Sequence, residues 1–101
     1  MELVGRHDVV LVDLREEAER ERHGSIPESL HAQYRELQEN LSAGGLLHEL
    51  AKTTGKRLLF YCAFGERSAM AVRAAQDAGI ATARHLQGGL DAWKKIGGAL
   101  A

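Results

Sequence analysis

Arg57-Leu58-Leu59-Phe60-Tyr61-Cys62-Ala63-Phe64-Gly65-Glu66-Arg67-Ser68 is the stretch whose reading decides the fold. Leu58 to Tyr61 is a short apolar run with two aromatic residues, the composition of a buried strand. It ends on Cys62, the single cysteine of the chain. A short loop with one glycine follows, and helix-forming residues begin at Arg67 and Ser68. A strand that ends on a thiol and is followed at once by a helix aims backbone N–H groups and the positive end of the helix dipole at one sulfur. That field favours thiolate over thiol, and the same cradle suits an anion beside the sulfur. The segment therefore predicts a reactive cysteine. Cys62 is the nucleophile, and the backbone amides from Ala63 through Ser68 form the cradle. Gly65 lets the loop curl. Arg67 is suited to grip an anionic group by paired hydrogen bonds, and Ser68 to cap the helix or donate to the sulfur.

Working outward, Val9-Val10-Leu11-Val12-Asp13-Leu14 is a continuous apolar run closed by a polar residue, the pattern of a strand buried in a parallel sheet. Arg15 to Arg22 is charge-dense and reads as a short solvated helix that stops at His23-Gly24. Pro27 marks a turn, and Ser29 to Ala32 a brief strand. Tyr34, Leu37 and Leu41 have helical spacing. Leu46, Leu47, Leu50 and Ala51 predict an amphipathic helix ending near Gly55. The strand Arg57–Tyr61 follows. The helix from about Arg67 to Ala78 places Ala71, Ala74, Ala75 and Ala78 on one small-residue face and is capped by Gly79. Ala83 to Leu86 predicts another strand, and Leu90 to about Ile96 a last helix carrying Trp93. Strands alternating with helices at this spacing predict one α/β domain over residues 1–101 with a mainly parallel sheet. Ligands of such sheets bind beyond the carboxyl ends of the strands, where Asp13 and Cys62 both fall.

Composition narrows the function. Apolar residues are 45% and charged residues 27%, ordinary for a globular domain. A net charge of −1 supplies no field for nucleic acid or an anionic membrane. The start of the chain, Met1 to Arg6, lacks the apolar core of a secretory signal. One cysteine cannot close an internal disulfide, which suits a reducing, cytoplasmic setting. The five histidines, at 7, 23, 31, 48 and 85, show no metal-ligand spacing, so no metal is expected. Gly88 and Gly89 stand outside any nucleotide-binding pattern and read as a tight turn near the site, and Trp93 as core.

Four segments together resemble the rhodanese-like sulfurtransferase family. They are Asp13-Leu14-Arg15, Gly24-Ser25-Ile26-Pro27, the loop from Cys62 to Ser68, and Gly88-Gly89-Leu90-Asp91-Ala92-Trp93. The resemblance implies a roughly five-stranded, mainly parallel sheet flanked by helices on both faces. With so few residues before Val9, the first strand is expected to be shortened or missing. Ser25 stands where the family commonly has histidine. The resemblance further implies that Cys62 carries a transferable sulfur as a persulfide and that Asp13 and Arg15 brace the loop by hydrogen bonds. No cofactor is implied. The partners are a small sulfur-donor anion, held by Arg67, and a thiol, cyanide or protein acceptor.

The loop length bears on substrate. Four residues separate Cys62 from Arg67; the cysteine phosphatases that share the fold have one more, which widens the cradle for a tetrahedral phosphate. The shorter loop favours sulfur. Glu66 is expected to turn to solvent and to penalise small dianions modestly. Phe64 either lines an entrance or anchors the loop. No histidine is required to activate the thiol in this scheme. The alternatives are a sulfur-relay or binding module of a larger protein, and a phosphatase or arsenate reductase on the same fold.

Overall fold

The computed structural model describes residues 9–97. Its elements follow in the order β1 (Val9–Asp13), α1 (Glu17–His23), β2 (Leu30–His31), a 3-10 turn (Tyr34–Glu36), α2 (Leu37–Leu41), α3 (Leu46–Thr54), β3 (Arg57–Tyr61), α4 (Glu66–Asp77), β4 (Arg84–His85) and α5 (Gly89–Lys95). All strand pairs are parallel, and the sheet order is β2-β1-β3-β4. The described residues thus hold four strands, one fewer than the resemblance implies. The expected shortened first strand would precede Val9, outside the described residues.

β1 and β3 run side by side over their whole length, Val9 opposite Arg57 and Asp13 opposite Tyr61. Side chains alternate between the two faces of a strand, and each face builds its own core. Val12, Leu58 and Phe60 pack with Leu37, Leu41, Leu47, Ala71 and Ala75 from the helices on one side. Leu11 and Tyr61 pack with Ile26, Leu90 and Trp93 on the other. Two covered faces explain why both central strands read as nearly unbroken apolar runs. Small side chains at Ala71 and Ala75 let α4 lie close to the sheet; Ala78, expected on the same face, ends the helix exposed. There Gly79 N–H bonds the Gln76 carbonyl at 3.0 Å and Ile80 N–H bonds that of Ala75 at 2.9 Å, closing the helix end while Ile80 enters the core.

The boundaries depart from the sequence reading at several places: α1 spans Glu17–His23 rather than Arg15 to Arg22, and β2 and β4 hold two residues each rather than four. The segment from Tyr34 to Leu41 splits into a 3-10 turn and α2 because Tyr34 N–H is pinned to the Leu14 carbonyl at 2.9 Å, which tightens the first turn. α5 begins at Gly89 rather than Leu90. α1 buries none of its residues, in keeping with its charge.

Candidate active site

Adjacent parallel strands bring Asp13 and Cys62 to the same end of the sheet, and Leu14 N–H bonds the Tyr61 carbonyl at 3.0 Å just before the cysteine. Cys62 is fully buried. Its loop turns sharply at Gly65, which has φ of 110° and caps α4. A side chain there would adopt strained backbone angles and lie 3.2 Å from Gly88 N. The turn brings Gly65 N–H onto Cys62 Sγ at 3.1 Å. Ser68, one turn into α4, sits with its hydroxyl 3.7 Å from Sγ and 3.1 Å from the Gly65 carbonyl.

The start of α5 clamps this loop from behind. Leu90 N–H bonds the Cys62 carbonyl at 2.8 Å, and Asp91 N–H bonds that of Ala63 at 3.0 Å. The amides that open a helix have no partner within it; here they fasten the nucleophile's own backbone. The approach is so close that a Cβ on Gly89 would fall 2.4 Å from the Cys62 carbonyl oxygen. This is the physical reason for glycine at 89; at Gly88, with φ of 79°, a Cβ would instead fall 2.6 Å from that of Ala92.

Asp13 and Arg15 form a buried pair one residue away. Arg15 donates from its backbone N–H and from Nε to Asp13 Oδ1, at 2.9 and 3.0 Å. Asp13 Oδ2 accepts from Arg15 at 2.9 Å, Arg20 at 3.1 Å and the Tyr61 hydroxyl at 2.9 Å. Burial pushes the Asp13 carboxyl up, but the hydrogen bonds and charge of Arg15 outweigh it and leave the group below its ordinary range. The Tyr61 hydroxyl also receives Ile26 N–H at 3.1 Å and meets Ser29 Oγ at 2.9 Å, and burial pushes its pKa up, holding it neutral. Arg15 donates further to the Gly24 carbonyl at 2.6 Å, and its guanidinium lies 5.6 Å from the Tyr61 ring centre. The hydrogen bonds of Asp13 and Arg15 thus tie together Arg20, the turn at Gly24 and Tyr61, the residue before Cys62, rather than the loop residues themselves.

Arg67 is engaged differently from the expectation. Its two terminal nitrogens bind the Glu19 carboxylate of α1 at 2.9 Å each. These bonds hold the Glu19 carboxyl down to about 2, and Glu19 in turn raises the Arg67 guanidinium. The side chain assigned to grip a donor is therefore already paired at the edge of the site. Glu66 turns outward: its side chain is 62% exposed and 3.9 Å from Arg67 Nε, so solvent screens the charge expected to repel dianions. Phe64 is 66% exposed. With Ala63, Glu19, His23, Asp91 and Lys94 it lines a depression of about 270 Å³, so it is not a buried anchor of the loop.

Two residues escaped the sequence reading. Glu19 lay in a run taken as a solvated face, although it stands one helical turn beyond Arg15 and three residues after Glu16, whose N–H it caps at 2.9 Å. His85 pairs in register with Phe60 on β4, and its Nδ1 lies 3.1 Å from Ser68 Oγ. The strand-end rule that selected Cys62 would also have selected it. No group of three or more metal-ligating side chains occurs among the described residues. No helix among them is long and apolar enough to cross a membrane.

The model of the rhodanese-like domain family matches residues 1–96. This chain belongs to that family. The thiosulfate:glutathione sulfurtransferase of Saccharomyces cerevisiae is 34% identical to this rhodanese-like chain over an alignment of 105 positions that covers 95% of this chain and 73% of that protein. A structure from Rhodopseudomonas palustris, described as a possible tyrosine phosphatase, superposes with a TM-score of 0.84 at 37% identity, covering 94% of this chain and 72% of that one. A human single-domain sulfurtransferase superposes with a TM-score of 0.71 at 24% identity over 87% of this chain and 82% of its own, a likeness of fold.

Proposed function

We propose that this rhodanese-like protein is a sulfurtransferase in which Cys62 carries sulfane sulfur as a persulfide. The observation that carries the reading is the closed loop in which Gly65 N–H meets Cys62 Sγ at 3.1 Å, only four residues before Arg67. With thiosulfate, the Cys62 thiolate attacks the outer sulfur and sulfite leaves with the electron pair of the broken S–S bond. The persulfide keeps one negative charge, which the loop N–H groups stabilise. An acceptor thiolate then takes the outer sulfur and returns Cys62 as thiolate.

The yeast relative's name supports thiosulfate as donor and glutathione as acceptor. The depression beside Phe64 supports the same acceptor class, since it is lined by both Lys94 and Asp91 and a small peptide bears both charges. The protein works in the cytoplasm, where thiols of that kind are abundant. Thiocyanate formation from thiosulfate and cyanide, with one added sulfur on the intact protein, is the test. Cys62→Ser is expected to abolish both; thiocyanate formation that survives it removes the mechanism.

The possible tyrosine phosphatase among the structural neighbours favours a second reading. The short loop and the engagement of Arg67 by Glu19 weigh against it. Cys62-dependent hydrolysis of an aryl phosphate would establish it.

A further inference from the structure

Behind the loop, three side chains form one hydrogen-bonded line. Cys62 Sγ lies 3.7 Å from Ser68 Oγ, which lies 3.1 Å from His85 Nδ1. Cys62 and Ser68 are fully buried. His85 is half-buried and borders a groove of about 410 Å³ that it shares with Leu59, Leu86, Trp93 and Ile96. The line therefore runs from a buried sulfur to a half-buried ring at the edge of the groove.

A serine hydroxyl has one proton and two lone pairs. Ser68 thus cannot donate at once to Sγ, to His85 and to the Gly65 carbonyl, which also accepts Ala69 N–H at 3.0 Å. The two charge states of the sulfur require two proton arrangements over the same heavy atoms. With a thiol, S–H donates to Ser68, and Ser68 donates to His85 Nδ1 or to Gly65. With a thiolate, Ser68 donates to the sulfur and His85 Nδ1–H donates to Ser68.

We propose that His85, acting through Ser68, is a positioning residue that takes up the Cys62 proton and returns it; this rests on Cys62 being the sulfur carrier. As the thiol proton passes to Ser68 Oγ, the hydroxyl's own proton passes to His85 Nδ1. The S–H electron pair stays on sulfur, and the neutral imidazole becomes imidazolium, so one negative and one positive charge form together. Sulfur exchange itself moves no proton on Cys62. His85 therefore sets how much of Cys62 is reactive at a given pH.

The other charged groups around this line are already engaged. Arg67 of α4 feels the Cys62 charge but is bound to Glu19, with Glu66 nearby. Asp13, at the end of β1, is held by Arg15, Arg20 and Tyr61. Arg84, beside His85, donates to the carbonyls of Ala81 and Ala83. The residues of β3 and α5 that share the groove, Leu59, Ala92, Trp93 and Ile96, among them the one just past α5, are uncharged.

The experiment is the rate of Cys62 alkylation by iodoacetamide across about pH 4.5 to 9, with persulfide formation from thiosulfate followed by intact mass in the same proteins. The wild-type rate is expected to rise in two separate steps as pH increases across this range. His85→Gln and Ser68→Ala are expected to lose the lower step and to fall about tenfold in rate near pH 7, the effect of one pH unit. His85→Asn keeps an N–H for Ser68 but does not titrate; it is expected to lose the step as well, which separates proton uptake from simple packing. A lower step that persists in both His85 variants overturns the proposal. So does persulfide formation at the wild-type rate in both, and that result leaves the sulfur-carrier reading intact. Alkylation with the step but no persulfide in the wild type removes the carrier reading and leaves the proton line standing.

Discussion

Glu19 and Arg67 face each other across the edge of the site as a two-point ion pair, both bonds at 2.9 Å, joining α1 to the first turn of α4. A planar guanidinium matched to a carboxylate in this way is directional as well as attractive. The pair ties α1 to the residue where the loop passes into α4, and it engages the guanidinium five residues beyond Cys62.

The pair predicts an acid sensitivity. The Glu19 carboxyl is lowered from 4.5 to about 2 in the folded chain. A depressed carboxyl stabilises the fold fully above its unfolded value and loses that contribution as pH falls from about 4.5 toward 2. Both side chains are about a quarter exposed, so solvent limits the gain to about 1 kcal/mol. Glu19→Gln is expected to melt lower than wild type at pH 7, with the gap closing as pH falls through that window. The freed Arg67 is expected to lower KM for thiosulfate in the same variant. A gap in melting that is independent of pH would exclude the pair as its source.

Asp13→Asn leaves the Arg15 guanidinium buried without its counter-charge. Breaking one side of a buried ion pair costs about 3–5 kcal/mol, a large share of the about 5–15 kcal/mol that holds an ordinary domain together. Tyr61→Phe removes one donor to Asp13 and the acceptor for Ile26 N–H, and is expected to cost about 1–3 kcal/mol. Urea unfolding of the two variants checks the order, with Asp13→Asn the weaker protein. Equal midpoints would mean that Asp13 is not the hub of the network.

Gly89→Ala and Gly55→Ala form a matched test of the clamp. Both positions have positive φ, 63° and 70°, so each alanine carries a backbone cost of about 1–2 kcal/mol. Only at Gly89 would the new Cβ meet Cys62 and Ala63; at Gly55 nothing lies within 4 Å. Gly89→Ala is therefore expected to depress kcat strongly and to lose more stability than Gly55→Ala, which is expected to spare kcat and to carry the backbone cost alone. Equal kcat in the two variants would detach α5 from the chemistry.

Glu66→Gln is expected to leave thiosulfate kcat/KM within about twofold at physiological salt, because an exposed charge is screened within about 8 Å. Steady-state rates at low and high ionic strength check this. A tenfold gain at both would place the carboxylate inside the cradle.

How much of this was legible in the chain depends on range. Val9 to Asp13 and Arg57 to Tyr61 announced themselves as strands because each is buried on both faces, and burial leaves an unbroken apolar run. Cys62 stood out because its loop chemistry is local: strand, glycine and helix start lie within seven residues. The two-residue strands β2 and β4 are too short to carry a period, and their pairing to β1 and β3 defines them. The partners of Arg67 and Ser68 were hidden for a different reason. Glu19 is 48 residues from Arg67 and His85 is 17 from Ser68, and only the sheet order brings them together. A charged run has the same composition whether it faces water or a guanidinium.

The pairing of β1 with β3 also governs when the protein first becomes reactive during folding. Asp13 meets Tyr61 across 48 residues of chain, and the α5 amides reach Cys62 from the far end of the sequence. Parallel pairings of this span close long loops before any contact rewards them, and so form late. α1, α3 and α4 are local and able to form early, while the sulfur's surroundings are assembled last. A refolding chain regains its helical signal before it regains a working thiol, and the return of Cys62 chemistry marks the end of folding.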